Sequence, residues 1–152
     1  MKRIYLSICI YSLTAGFLNC FFFNHPVQAK DKTVQITSLK ELVSSPKKFM
    51  NKKLTIEGKF HSFSSLSLDY PKAMKSSKEF IGIILSRPDQ EEIPLVELKI
   101  SAPVEMFKSE NISIAHGDKL QLNSKVYAIA LGEPWLEVKD LKILEKAEPE
   151  ER

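Results

Sequence analysis

Cysteine occurs at positions 9 and 20 and nowhere else in the 152 residues. From residue 21 onward there is no thiol for a disulfide, a zinc site or a covalent nucleophile. A hydrophobic core must hold that part together, and about 120 residues suffice to bury one. Beyond position 25, histidine appears only as His61 and His116, which lack metal-ligand spacing and read as ordinary polar surface. No serine sits in a Gly-x-Ser-x-Gly nucleophile turn, since Ser62, Ser64, Ser65 and Ser67 belong to a polar loop. Glu91-Glu92 and Glu133/Glu137 are carboxylate pairs that nothing in the sequence desolvates, as a general acid would require. The expectation is a protein that is not an enzyme and carries no cofactor and no metal.

What is present begins with an export signal. Met1-Lys2-Arg3 is a positive start, residues 4–23 form a long run without charge, and Val27-Gln28-Ala29 ends in the small residue a signal peptidase prefers. Cleavage would leave Lys30 as the new terminus. The run is also long enough to span a bilayer, so retention as an anchor is a second reading. Phe17-Leu18-Asn19-Cys20 resembles a lipobox, although Asn19 stands where a small residue is usual, so lipidation of Cys20 is a third. Membrane association follows only if the segment is retained or Cys20 is lipidated. All three place the domain outside the cytoplasm, in a periplasm or cell envelope or secreted.

Charge gives little direction. The formal net charge is +3, and removing Lys2 and Arg3 leaves twenty basic against nineteen acidic residues. Eleven lysines and four acids lie in residues 30–78, against nine basic and fifteen acidic residues in 79–152. This asymmetry polarises the surface only if the two halves do not interleave.

The hydrophobic pattern predicts a mainly β domain over residues 30–144, followed by a charged flexible tail at 145–152. Ser38-Leu39-Lys40-Glu41 reads as a capping box opening a short helix with Leu39, Leu42 and Val43 on one face, limited by Pro46. Leu54, Ile56, Gly58 and Phe60 alternate with Thr55, Glu57, Lys59 and His61 as a strand with one buried face. Gly58 sits where a strand turns a barrel corner. Residues 62–78 read as a long connection, 80–85 as a buried strand, 87–92 as a polar turn and 95–100 as an alternating strand with Leu95, Glu97 and Lys99 outward. Pro103 opens a helix over 102–111. A turn at Gly117-Asp118 leads to a strand at 120–131, and Gly132-Glu133-Pro134 turns the chain into the last strand at 135–144. No internal repeat or second domain is visible.

A five-stranded unit with a helix between its third and fourth strands resembles the OB-fold, a Greek-key barrel. Leu39-x-Glu41-Leu42 with Pro46, then Lys53-Leu54-Thr55-Ile56-Glu57-Gly58-Lys59, is similar to the opening of small exported bacterial OB-fold domains. Gly117-Asp118-Lys119-Leu120 and Trp135-Leu136-Glu137-Val138-Lys139-Asp140-Leu141 resemble their fourth and fifth strands. The resemblance implies a five-stranded barrel with a short N-terminal helix, and a binding module whose ligand it does not name. Nucleic acids, oligosaccharides and proteins are all bound by such families. Exported haem chaperones with OB-like barrels attach haem through a histidine late in the chain; here none follows His116.

The candidate ligand-binding residues are Phe63, Tyr70, Lys72, Lys75 and Lys78 in the loop after the first strand, and Trp135, the one tryptophan. Rings mixed with positive charge suit an anionic ligand, a glycan or an envelope protein. The bland alternative folds Phe63 and Tyr70 under the loop as satellite core, with the lysines as solubilising surface and Trp135 as a barrel plug. Single-stranded nucleic acid is an alternative partner, but the predicted third strand offers it neither a ring nor a positive track. An envelope lipoprotein mediating protein contacts is a further one. Asn111-Ile112-Ser113 fits a glycosylation acceptor, relevant only in a eukaryotic secretory pathway. Glu57/Lys59, Glu97/Lys99 and Glu137/Lys139 repeat a spacing that lets opposite charges pair across strands.

Overall fold

The computed structural model describes residues 35–71, 74–109 and 112–148. The export, anchor and lipidation readings, Lys72 and the asparagine of the acceptor motif fall outside these residues. Among the described residues no helix is long and apolar enough to cross a membrane.

Helix α1 (Leu39–Ser44) buries Leu39 and Leu42, and Pro46 starts a separate 3-10 turn, Pro46–Phe49. Ser38 occupies the N-cap position, but its side chain makes no capping bond, so the capping box marks the helix start without closing as one. The strands are β1 (Lys53–Ser64), β2 (Phe80–Arg87), β3 (Gln90–Pro94), β4 (Lys99–Pro103), β5 (Lys119–Ala130) and β6 (Glu133–Glu145). Helix α2 (Val104–Ser109) lies between β4 and β5.

Strand β1 closes the barrel by serving two neighbours. Lys53–Lys59 pairs with β5, whereas Phe60–Ser64 pairs with β2, with an irregularity between Phe60 and Ser62. Gly58 stands just before the handover. A Cβ there would lie 3.0 Å from Leu85 Cδ1 and 3.2 Å from Leu39 Cδ1, so hydrogen at this position lets the helix and β2 close over the bend. The remaining pairings run β2 to β4 antiparallel, β4 to β6 parallel, and β6 to β5 antiparallel. The circuit β1-β2-β4-β6-β5 is a closed Greek-key barrel, and β3 is an added strand on the outer side of β2.

Alternation fills the interior. Leu54, Ile56 and Phe60 of β1 meet Ile83 and Leu85 of β2, Ile100 of β4, Leu120, Leu122 and Val126 of β5, and Leu136, Val138 and Leu141 of β6. Leu39 and Leu42 join the same cluster, with Met106 and Phe107 of α2 packed against it.

Several segments depart from the sequence pattern: residues 62–64, read as the start of the long connection, continue β1 because they pair with Gly82–Ile84 of β2. Residues 87–92 are a tight turn at Pro88-Asp89 followed by β3, and residues 95–98 are a turn rather than the start of a strand. Leu95 is consequently buried, donating its amide to Leu85 O at 2.8 Å, while Val96 is exposed. A five-residue strand at a sheet margin carries little periodic signal, and a turn that tucks in one leucine imitates alternation. Ala102 and Pro103 still belong to β4, so the helix begins at Val104, whose amide bonds Glu79 O. The last hairpin turns at Leu131-Gly132, both with positive φ, and Glu133 and Pro134 already pair with Ala130 and Ile129.

Candidate binding cleft

A cleft of about 440 Å³ opens on the barrel face formed by β2 and β4, between the loop after β1 and the β5–β6 turn. Its floor comes from Ile83 and Ile84 of β2 and Leu98 and Ile100 at the β4 start. Gly82 allows the floor to form: a Cβ there would stand 2.4 Å from Ser64 O, so only glycine lets β1 and β2 approach so closely.

The loop supplies one wall and is internally braced. Leu68 is buried, the Asp69 amide bonds Lys75 O at 2.9 Å, and Asp69 Oδ1 accepts from the Ser77 amide at 3.1 Å. That side-chain bond, with Lys78 nearby, lowers the Asp69 carboxyl below its ordinary value. Tyr70 is thereby set against Trp135, ring centroids 5.8 Å apart and planes 32° from parallel. Trp135 heads β6 and is 4% exposed, and its Nε1–H finds no hydrogen-bond partner among the described residues. Beside it, Lys99 Nζ lies 3.2 Å from Glu133 and donates to Val96 O. Lys99 is the one cation among the described residues that line the cleft, and Glu133 neutralises it. The rim is apolar: Leu66 is 94%, Leu131 79% and Val96 49% exposed.

Of the residues marked by the sequence, Tyr70 and Trp135 meet at this cleft. Phe63 packs elsewhere, on Phe60 at 4.7 Å and edge-on to Phe107 of α2 at 5.4 Å. Lys75 bonds Glu137 with its ammonium 4.1 Å from the Phe80 ring centroid and 5.2 Å from that of Tyr127. Its role there is to clamp the loop to the outer face of β2, β5 and β6. Lys78 is exposed. Lys72 is outside the described residues.

Electrostatics around that clamp are self-contained. Burial would raise the Glu137 carboxyl, but bonds from Lys139 and Lys75 outweigh it and hold the group below the ordinary glutamate range. Burial raises the Tyr127 hydroxyl, and the Glu137 charge adds to the effect. Elsewhere, Lys59 pairs with Glu91 at 2.5 Å, Lys119 approaches Glu57 at 3.9 Å, and Arg87 bonds Glu97. The recurring Glu-x-Lys spacing thus resolves largely into ion pairs between strands or segments rather than an anionic-ligand track.

Gly82, Leu66 and Val96 were not marked by the sequence. Leu66 and Val96 look like any loop aliphatic, and Gly82 lies inside an apolar run. Leu131-Gly132 did carry a signal, because a two-residue hairpin turn favours Asn-Gly and an apolar first residue is unusual there.

The circuit of strands, the helix between β4 and β5, and the parallel β4–β6 contact define an OB-fold barrel with one added strand. No protein-family model matches the chain, and no curated protein matches it. Among solved structures the chain is similar to a protein from Leishmania major Friedlin assigned as an aspartyl-tRNA synthetase, at 15% identity and TM-score 0.52. The match covers 80% of this chain and 23% of that one, so it concerns less than a quarter of the larger protein. It is also similar to the second OB-fold domain of replication protein A from Methanococcus maripaludis, at 14% identity and TM-score 0.45, covering 76% of this chain and all of that domain. The OBody AM3L09, solved bound to hen egg-white lysozyme, matches at 14% identity and TM-score 0.43 over 66% of this chain and 88% of that one. Likeness at these identities concerns fold and leaves the ligand to the site itself.

Proposed function

We propose that the protein is a non-enzymatic OB-fold binding module, exported to the periplasm or cell envelope, whose cleft takes an uncharged, partly apolar ligand group. One observation carries the ligand class. Leu66, Val96 and Leu131 come from three separate segments, yet all stand in solvent around one concave apolar floor. Scattered exposed aliphatics need no explanation, but three converging on a cleft with an aromatic pair describe a contact surface. Among the described residues, the same cleft shows no surplus of the positive charge that dominates affinity for a polyanion. Single-stranded nucleic acid keeps one supporting feature, the Tyr70–Trp135 ring pair, because rings stack on bases without regard to sequence.

Trp135 is the only tryptophan, so its emission reports on the cleft. Nile red, an uncharged apolar dye, should brighten on binding, quench Trp135 and keep its affinity at raised salt, and Val96→Ser should weaken it. Oligo(dT) that shifts Trp135 emission with a steep loss on added salt, while Nile red does not bind, would replace this reading with the nucleic-acid one. Export has its own support in the uncharged run at residues 4–23 and the small residue Ala29. N-terminal sequencing of the protein recovered from expressing cells should begin at Lys30.

A further inference from the structure

Fifty-five residues apart in sequence, His61 and His116 are side by side in the barrel, their ring centroids 5.2 Å apart and their planes at 81°. The approach is built into the backbone. Phe60 donates its amide to Asp118 O and accepts from the Gly117 amide, both at 2.8 Å, which extends the β1–β5 ladder to the two histidines. His116 is exposed and His61 half-buried, so both are within reach of a solute.

Hydrogen bonds also orient the rings. His116 Nδ1 faces His61 O at 2.9 Å, and a carbonyl can only accept, so that nitrogen carries a hydrogen and, in the neutral ring, Nε2 keeps its lone pair. A ring nitrogen donating to a backbone carbonyl is the usual support of a metal-bound histidine. His61 Nδ1 lies 3.2 Å from Ser62 Oγ, and in the tautomer in which the ring donates to that oxygen its Nε2 is free in the same way. The spacing fits as well. With metal–nitrogen bonds of about 2.0–2.1 Å and a tetrahedral angle between them, two imidazole centroids fall roughly 5 Å apart.

The geometry points to a two-histidine chelate at His61 and His116 for a divalent transition ion of the zinc and copper class. Imidazole suits zinc, nickel and copper, with copper bound most tightly. Among the described residues no group of three His, Cys, Asp or Glu stands close enough to hold a metal, so water or a solute donor completes the coordination shell. The site lies apart from the Tyr70–Trp135 cleft, none of whose lining residues it shares.

The test uses the full chain with Cys9→Ser, Cys20→Ser and His25→Ala, which removes other soft ligands. Zinc chloride should shift the imidazole nitrogen resonances of both His61 and His116 together, at one ion per chain. His61→Gln and His116→Gln should each weaken zinc and copper uptake by at least about tenfold, the lower end of the loss seen when only a supporting group is removed. Circular dichroism and the urea midpoint of each variant establish that it is folded. Uptake unchanged in either folded variant, shifts at one histidine alone, or no shift at either would overturn the chelate and leave an edge-to-face ring contact.

Discussion

Tyr70 and Trp135 lie across the barrel mouth from each other, one on the loop after β1 and one heading β6, with their rings 5.8 Å apart. Tyr70 is 36% exposed and Trp135 only 4%, so the tyrosine acts as the cover and the tryptophan as the buried partner. Tyr70→Ala should cost about 1 kcal/mol, the worth of an aromatic pair, and move Trp135 emission to longer wavelength as water reaches the indole. Trp135→Ala should cost about 3–5 kcal/mol. Trp135→Phe should cost much less, because it also removes a buried Nε1–H that has no partner among the described residues. Urea unfolding followed by circular dichroism reads all three stabilities, and tryptophan emission reads Tyr70→Ala; unaltered emission in that variant would mean that the tyrosine does not cover the indole.

Acid should loosen the domain in a defined window. Burial would raise Asp118, which is 1% exposed, but the Ala115 and Ala147 amides and Lys146 hold its pKa below the ordinary 3.8. Glu137 is held below the ordinary 4.5 by Lys139 and Lys75 against its burial, and Glu97 is lowered first by its bond from Arg87. A group whose folded pKa is depressed contributes stability that is complete above its unfolded value and lost as pH falls through the folded one. The urea midpoint should therefore be level above about pH 5 and fall below it. Glu137→Gln should flatten that fall. A midpoint that falls equally in the variant would show that Glu137 takes no part.

The barrel was legible because four of its five strands, β1, β2, β5 and β6, carry strong signals, whereas β4 was placed four residues early. Leu54, Ile56 and Phe60 alternate cleanly on β1, and the β5 and β6 runs are long enough that any error moves only their ends. The added strand β3 was not legible, since Gln90, Glu91 and Glu92 face solvent and the strand's ladder partner is β2 alone among the described residues. At the site, Tyr70 and Trp135 stood out because large rings near a loop mouth are few. Lys75 did not declare its ion pair with Glu137, sixty-two residues away, and His61 gave no sign of His116, because such contacts are set by strand register rather than by local pattern. The capping box shows the converse: Ser38 marks the helix start, and yet the bond that gives the motif its name is absent.

Leu131 connects stability to binding. It holds φ +56° at the first position of the β5–β6 turn, with Gly132 at +81° following, and its side chain is 79% exposed. Right-handed strand twist favours a turn with both φ values positive, and Asn-Gly is its preferred sequence. A leucine in that conformation costs roughly 1–2 kcal/mol and, being exposed, recovers little of it through packing. Leu131→Asn should therefore raise stability by about 1 kcal/mol and the melting temperature by a few degrees. If the strained leucine is there to present an apolar group at the cleft rim, the same substitution should weaken Nile red binding while stability rises. Opposite movement of the two quantities is what a contact residue predicts and a neutral turn residue does not. A melting temperature that stays level or falls would show that the turn bears no strain, and unchanged dye affinity would remove Leu131 from the binding surface.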